Sequence, residues 1–221
     1  MKRVVVACWA LLGLAGPAAS ADLPPRYPVA PRAPIYNPVY NWTGFYVGVN
    51  GGYGWGRSTW DGVDHFSVSG GLIGLTAGYN YQYNQIVFGI EADVDWSGVK
   101  GNTGTGICAG GCTTRNDWLS TVRGRVGFAF DRFLPYVTAG LALGDIKATT
   151  PFGFPGGTGT NLGWTIGAGF EVALVGAVTA KLEYLFADLG SYNCGFNCGL
   201  AANGNVSLYA NIVRAGFNYR F

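Results

Sequence analysis

The residues of this chain whose spacing best suits chemistry are two pairs of cysteines, each with three residues between its members. Cys108 and Cys112 form the first C-x3-C pair, and Cys194 and Cys198 form the second. Oxidation within each pair would give two local disulfides, whereas four thiolates brought together could ligate zinc. An oxidising compartment favours the disulfides. We therefore expect local disulfides, with the two crossed connectivities and the shared zinc site as the alternatives that the sequence leaves open.

His65, the only histidine, is the one candidate for a catalytic base beside a nucleophile. Ser67 and Ser69 follow it closely, so either hydroxyl could act as the nucleophile of a lipase or an acyltransferase. The segment is rich in glycine and serine, and neighbouring serines are commonplace in such segments. We therefore expect His65 to be an ordinary exposed loop histidine, and we expect neither enzymatic activity nor a bound cofactor.

A third chemically active set consists of nine charged residues that alternate with apolar ones. The acids are Glu91, Asp93, Asp95, Glu171 and Glu183, and the bases are Arg123, Arg125, Lys181 and Arg214. Alternation places them on one face of β-strands, where opposite charges on neighbouring strands can pair. In a closed barrel that face lines the lumen, so the charges could form a narrow ion path or a polar plug. We favour the plug, because the side chains of an eight-stranded barrel are large enough to fill its interior.

These charges must be positioned by β-strands, because apolar and polar residues alternate repeatedly from Trp42 onward. The pattern predicts eight strands, at about Thr43–Trp55, Leu72–Tyr83, Ile86–Trp96, Asp117–Phe130, Leu134–Lys147, Gly163–Leu174, Ala177–Ala187 and Val206–Phe221. Short connections, at 84–85, 131–133 and 175–176, alternate with long ones, at 56–71, 97–116, 148–162 and 188–205. Short periplasmic turns and long external loops are typical of bacterial outer-membrane barrels.

The apolar face of these strands is expected to meet lipid. Aromatic residues gather at both ends of the strands, as belts at the two membrane interfaces would. The predicted periplasmic ends carry Phe45, Tyr81, Tyr83, Phe128, Phe130, Tyr219 and Phe221, and the external ends carry Trp55, Trp96, Trp118, Trp164, Phe186 and Tyr209. A soluble barrel, the alternative, would turn its apolar face inward. We predict an all-β fold, an eight-stranded antiparallel up-and-down transmembrane β-barrel.

The two ends of the chain predict export to the outer membrane. Residues 1–21 have the basic start, the apolar stretch and the Ala19-Ser20-Ala21 cleavage site of a signal peptide. Residues 22–41 contain six prolines and are predicted to be an extended periplasmic linker, followed by the barrel at 42–221. Removal of Lys2 and Arg3 with the signal leaves equal numbers of basic and acidic residues, which argues against nucleic-acid binding.

Four segments resemble the small outer-membrane β-barrel family of alphaproteobacteria, whose barrel is similar to the OmpA-like transmembrane domain and is often labelled a porin-family or opacity-type surface protein. They are Asn41–Gly48, Phe88–Asp93, Val122–Gly127 with Leu134–Val137, and Lys181–Leu185 with the aromatic C-terminus. The resemblance implies insertion by the outer-membrane assembly machinery. It also implies that Phe217, Tyr219 and Phe221 form the recognition signal for that machinery.

Together these observations predict a structural outer-membrane protein that supports envelope integrity and displays its loops. The alternative is a narrow porin that passes small ions or solutes. The expected partners are outer-membrane lipid, lipopolysaccharide and the assembly machinery, and the linker is positioned to meet other envelope components.

Overall fold

The computed structural model describes residues 40–61, 63–104, 111–150, 156–198 and 204–221. Eight antiparallel strands follow one another in chain order and close into a barrel in which the last strand pairs with the first. They are β1 (Gly44–Trp60), β2 (Val63–Tyr83), β3 (Ile86–Thr103), β4 (Cys112–Phe128), β5 (Phe133–Thr149), β6 (Gly157–Ala173), β7 (Val178–Asn193) and β8 (Asn205–Arg220). The predicted up-and-down barrel is therefore confirmed. Within the described residues, no helix is long and apolar enough to cross a membrane.

The three periplasmic turns are short because each contains a residue that tolerates left-handed backbone. Asn84 has φ 55° between β2 and β3, and Asp131 has φ 52° between β4 and β5. Gly176 has φ 58° between β6 and β7. Asn, Asp and Gly are the residues that adopt this conformation most readily, so the sequence of each turn specifies a tight reversal.

The strands extend further at their external ends than the alternation predicted. β1 continues to Trp60 and β2 begins at Val63, so most of the segment 56–71 is paired strand. The alternation does not stop there but reverses its polarity: Val68 and Leu72 point inward and are buried, whereas Ser67 and Ser69 are exposed. This reversal is what a barrel needs where it leaves the lipid, because its outer face then meets water.

The outer face of the membrane-spanning part is apolar and ends in aromatic side chains, as predicted. Phe88, Ile90 and Leu182 are exposed on this face. The external belt includes a chain of ring contacts, with Trp164 and Phe186 centroids 5.4 Å apart and Phe186 and Tyr209 centroids 5.9 Å apart. Such a face is stable only against hydrocarbon, because a soluble protein rarely exposes so continuous an apolar surface.

The interior is built in three layers along the barrel axis. A small periplasmic layer is apolar and consists of Trp42, Val87, Ala129, Leu134 and Ala173. The middle layer is charged and contains the nine predicted lumen charges. The external layer is mainly apolar, with the buried hydroxyl groups of Ser58 and Thr114 hydrogen-bonded to each other, and includes Trp60, Phe66, Val68, Leu72, Val99, Leu119, Ile146, Leu185, Leu189, Val206, Leu208 and Ile212. Ionic side chains in the lumen are thus enclosed between two apolar layers.

Candidate functional site

The charged layer brings all nine predicted lumen residues into one buried cluster, with no more than 3% of any of them exposed. The strand register explains this convergence. Glu91 on β3 lies directly opposite Arg123 on β4, and Glu183 on β7 lies opposite Arg214 on β8. Facing residues on neighbouring strands are close enough for their side chains to interact, so each of these two acids lies beside a base.

Arg123 is the centre of the cluster because its guanidinium reaches acids on two different sides of the barrel. It donates from Nη1 to Glu183 Oε2 at 2.8 Å and from Nη2 to Asp93 Oδ2 at 2.7 Å. The same Nη2 also donates to Glu91, and Nε donates to Thr121 Oγ1 at 3.0 Å. One side chain therefore ties β3, β4 and β7 together across the lumen.

Arg214 forms a second centre on the external side of the cluster. Its Nε donates to Glu183 Oε1 at 2.8 Å and its Nη1 donates to Asp95 Oδ2 at 2.9 Å. Its Nη2 lies 2.9 Å from Asp93 Oδ1 but is not aligned for a hydrogen bond. The second oxygen of Asp95 has no hydrogen-bond partner either. Asp95 is thus held more loosely than Asp93, whose two oxygens accept bonds from Thr76, Thr121 and Arg123.

Two tyrosines, which the sequence reasoning did not assign to the lumen, complete the periplasmic side of the cluster. Arg125 lies over the ring of Tyr136, with its Cζ 4.1 Å from the centroid, and its Nη2 donates to Glu171 Oε2 at 2.8 Å. The Tyr46 hydroxyl donates to Glu91 Oε2 at 2.7 Å. Tyr46 and Tyr136 occupy inward positions in the alternation of β1 and β5, so the alternation in the sequence could have predicted that they face the lumen.

Glycines on the inner face make room for these large side chains. A Cβ on Gly78 would lie 2.4 Å from the Tyr46 hydroxyl oxygen, and a Cβ on Gly52 would lie 2.6 Å from the Cβ of Arg214. Neither distance is compatible with a real side chain. Gly52 and Gly78 are therefore required by the packing of the lumen, which agrees with the role expected for glycine in strands.

Buried side chains occupy all three layers of the interior in the described part of the barrel. The external layer contains a cavity of about 20 Å³ lined by residues such as Leu72, Val99 and Leu119, which is space for one or two water molecules. At the periplasmic end the Trp42 side chain is fully buried, and its Nε1 donates to the Asp131 carbonyl at 3.0 Å. The arrangement therefore resembles a filled interior rather than a channel.

The segment before β1 is fastened to the base of the barrel by Arg220 at the end of β8. Its Nη2 donates to the carbonyl oxygens of Asn41 at 2.8 Å and of Thr43 at 3.1 Å. Its Cζ lies 4.9 Å from the centroid of Tyr40 and 5.4 Å from that of Trp42. This contact joins the first and last strands where the barrel closes and holds Trp42 in the periplasmic mouth.

Of the predicted cysteine pairs, Cys194 and Cys198 are joined by a disulfide around the short 3-10 helix Gly195–Cys198. Two of the four thiolates of the zinc alternative are therefore consumed, and the described residues contain no cluster of metal ligands. Cys112 is buried and is itself disulfide-bonded. Cys108 lies outside the described residues.

The remaining predicted residues lie on the outer surface. His65, Ser67 and Ser69 are exposed on β2, which runs as strand where a loop was expected. Phe217 and Tyr219 lie on the outer face of β8, and Phe221 directly follows that strand. Their side chains are exposed, as a signal read by another protein must be, and their role in assembly remains a prediction.

Comparison with known proteins gives consistent results. The family model described as an outer membrane protein beta-barrel domain matches residues 6–221. The chain is 36% identical to the 31 kDa outer-membrane immunogenic protein of Brucella melitensis biotype 1, over the full length of both. It is 35% identical to the 22 kDa outer membrane protein of Rhizobium leguminosarum bv. viciae, covering 87% of this chain and 83% of the relative.

Among solved structures, Neisserial surface protein A has a TM-score of 0.52 against this chain. The match covers 81% of this chain and 98% of the other, at 17% identity. Identity at this level shows that the two share a fold and no more.

Proposed function

The chain belongs to the outer membrane protein beta-barrel family, and from that premise we propose that it is a structural protein of the envelope that supports the outer membrane and displays surface loops. Its location in the bacterial outer membrane follows from its relatives and its fold. The observation that carries the proposal is the layered interior. A lumen filled by paired charges between two apolar layers is suited to resisting deformation rather than to passing solutes.

The electrostatics of the charged layer support this role. Removing one partner of a buried ion pair typically costs about 3–5 kcal/mol, because the other charge stays buried. The charged side chains of this layer therefore favour the one arrangement that pairs them. A narrow porin, the alternative function, would require a wetted path through the periplasmic and external layers, in which the side chains of Trp42 and Trp60 are fully buried.

The external surface supports the display of loops. The Cys194–Cys198 disulfide constrains the turn that carries Phe196, whose side chain is 71% exposed. A large exposed side chain on a constrained turn is suited to recognition by another macromolecule, because little conformational entropy is lost on binding. The Brucella relatives are named immunogenic proteins, which agrees with a surface that antibodies reach.

The decisive experiment for the filled lumen is single-channel recording of purified, refolded protein in planar bilayers. We expect a quiet baseline. Steady, unitary openings at the same protein concentration would favour the porin instead.

The envelope role is tested in a deletion strain, which we expect to take up more of a large hydrophobic dye and to regain its barrier when the full chain is restored.

A His65→Ala variant serves as the control for enzymatic activity. We expect it to restore the barrier as well as the unmodified chain does, because His65 lies on the outer face away from the charged layer. Failure of this variant alone, together with lipase or acyltransferase activity in the purified protein, would replace the structural proposal with an enzymatic one.

A further inference from the structure

Three cations stand side by side on the outer face of the barrel, above the membrane. Lys100 on β3 is the direct register partner of Arg115 on β4, and Arg115 is the direct partner of Lys147 on β5. All three side chains point outward. Neighbouring strands are about 4.8 Å apart, so the three charges form a row about 10 Å wide. We call Lys100, Arg115 and Lys147 the cation row.

The height of the cation row is set by the tryptophans beneath it. Trp96 and Trp118 are register partners on β3 and β4, and Trp96 is 60% exposed on the lipid face. Tryptophan marks the interface between hydrocarbon and headgroups. Lys100 lies four residues beyond Trp96, which places it about 10 Å higher on a tilted strand. The cation row therefore faces sideways into the headgroup region of the outer leaflet.

The charge of the row is only partly neutralised by the protein itself. Asp117 receives a hydrogen bond from Arg115 Nε and another from Lys147 Nζ. Asp145 lies 3.6 Å from Lys147, but one of its oxygens is engaged by the backbone N–H groups of Asp117 and Trp118.

Donors remain available for a ligand. The described part of the chain gives Lys100 no ion pair, and within it Arg115 donates a hydrogen bond from Nε alone. The side chains of Arg115 and Lys147 are 59% and 42% exposed. The next outward row consists of Asn102, Thr113 and Thr149, whose polar groups could bind a sugar. Asp117 therefore orients the row without saturating it.

The rest of the circumference at this height differs. In the described parts of β6, β7 and β8 the outward residues above the aromatic belt include Thr158, Thr160, Asp188 and Ser207, and no cation is among them. Among the described residues of β1, Arg57 is an outward cation at this height, and its register partners are Ser67 and Tyr209, neither of which is charged. The positive charge is thus concentrated on β3 to β5.

We propose that the cation row is a binding site for the phosphate groups of a phosphorylated glycolipid in the outer leaflet, such as the lipid A part of lipopolysaccharide. The argument for this occupant is the combination of position and charge. A site that faces along the membrane plane meets lipid headgroups before it meets any soluble molecule, and clustered Lys and Arg at that level bind anionic headgroups. Arg115 supplies the planar donors that suit a phosphate.

The experiment compares phosphorylated lipid A with the same lipid after removal of its phosphates, using the full chain refolded in zwitterionic detergent and native mass spectrometry to count bound lipid. We expect tight binding of the phosphorylated form alone. The variant Lys100→Gln/Arg115→Gln/Lys147→Gln should bind roughly 100-fold more weakly, at about fivefold per cation. Arg57→Gln is the matched control and should change the affinity less than twofold.

Because the triple variant also breaks the contacts with Asp117, Lys100→Gln alone provides a second test in which those contacts persist. It should weaken binding about fivefold. Heat-modifiable gel mobility checks that each variant is folded. Equal binding of the two lipids, equal loss in Arg57→Gln, or full competition by millimolar inorganic phosphate would overturn the proposal. The proposal extends the envelope role but is tested on its own, because dye uptake in the deletion strain does not depend on this binding measurement.

Discussion

Replacement of Arg123 by methionine tests whether the charged layer holds the barrel together. Methionine replaces the aliphatic stem of the arginine side chain but removes its guanidinium, which leaves Glu91, Asp93 and Glu183 without their shared cation. The loss is not complete, because Glu91 keeps Lys181 at 3.0 Å and Glu183 keeps Arg214 at 2.8 Å. We therefore expect Arg123→Met to lower the free energy of unfolding by about 3 kcal/mol, the lower end of the range for a broken buried pair.

The assay is reversible urea unfolding of the barrel in lipid vesicles, followed by tryptophan fluorescence and by gel mobility of the folded form. Lys147→Met is the matched control. It breaks a half-exposed ion pair and should cost no more than about 1 kcal/mol. Adding Asp93→Asn to Arg123→Met removes one of the orphaned negative charges and should recover about 1 kcal/mol or more. A loss below about 1 kcal/mol for Arg123→Met, or strictly additive losses in the double variant, would refute the reasoning.

Three further predictions follow from other parts of the structure. Trp42→Ala should lower the free energy of unfolding by about 3–5 kcal/mol. The variant should still show no conductance in a planar bilayer, because the charged and external layers continue to fill the lumen. Conductance in this variant would show that Trp42 alone closes the barrel. Gly78→Val should prevent recovery of a heat-modifiable barrel, because its Cβ would lie 2.4 Å from the Tyr46 hydroxyl, whereas a folded variant of normal stability would contradict this packing. Replacing Cys194 and Cys198 by serine should lower the free energy of unfolding by at most about 2 kcal/mol, because the disulfide closes a loop of few residues. The loop should also become easier to cleave with protease. Unchanged cleavage would mean that the disulfide does not constrain the loop.

The sequence predicted the membrane-spanning part of the barrel well, because in that part the outward face is mainly apolar and the charged residues face inward. Wherever lipid lies outside, apolar residues such as Phe88 and Ile90 must face outward and Glu91 must face inward. The same argument placed the nine charges on one face. Their partners across the lumen, such as Arg123 with Glu183 on a distant strand, depend on barrel closure and could not be read from local spacing.

The external ends of most strands were missed for a physical reason. Beyond the aromatic belt both sides of the wall change environment, so Ser67 and Ser69 face water while Val68 faces a dry interior. Because outward residues such as Ser67 and Ser69 are polar, a pattern that requires apolar residues on the outer face predicts a loop here instead of a strand. The insertion of Trp42 into the periplasmic mouth was also unpredictable, because it depends on Asp131 and Arg220, both far from Trp42 in the sequence.

The reach of the strands past the membrane has a consequence for what the surroundings encounter. From Trp96 to the end of β3 at Thr103, the ladder of paired strands rises roughly 15–20 Å above the hydrocarbon. The buried side chains inside this part, such as Val68 and Val99, make it a stiff support above the membrane. Under the proposed role in display, this support sets the height at which the chain leaves the barrel at Thr103, so shortening the strands would lower that point without changing any residue beyond it.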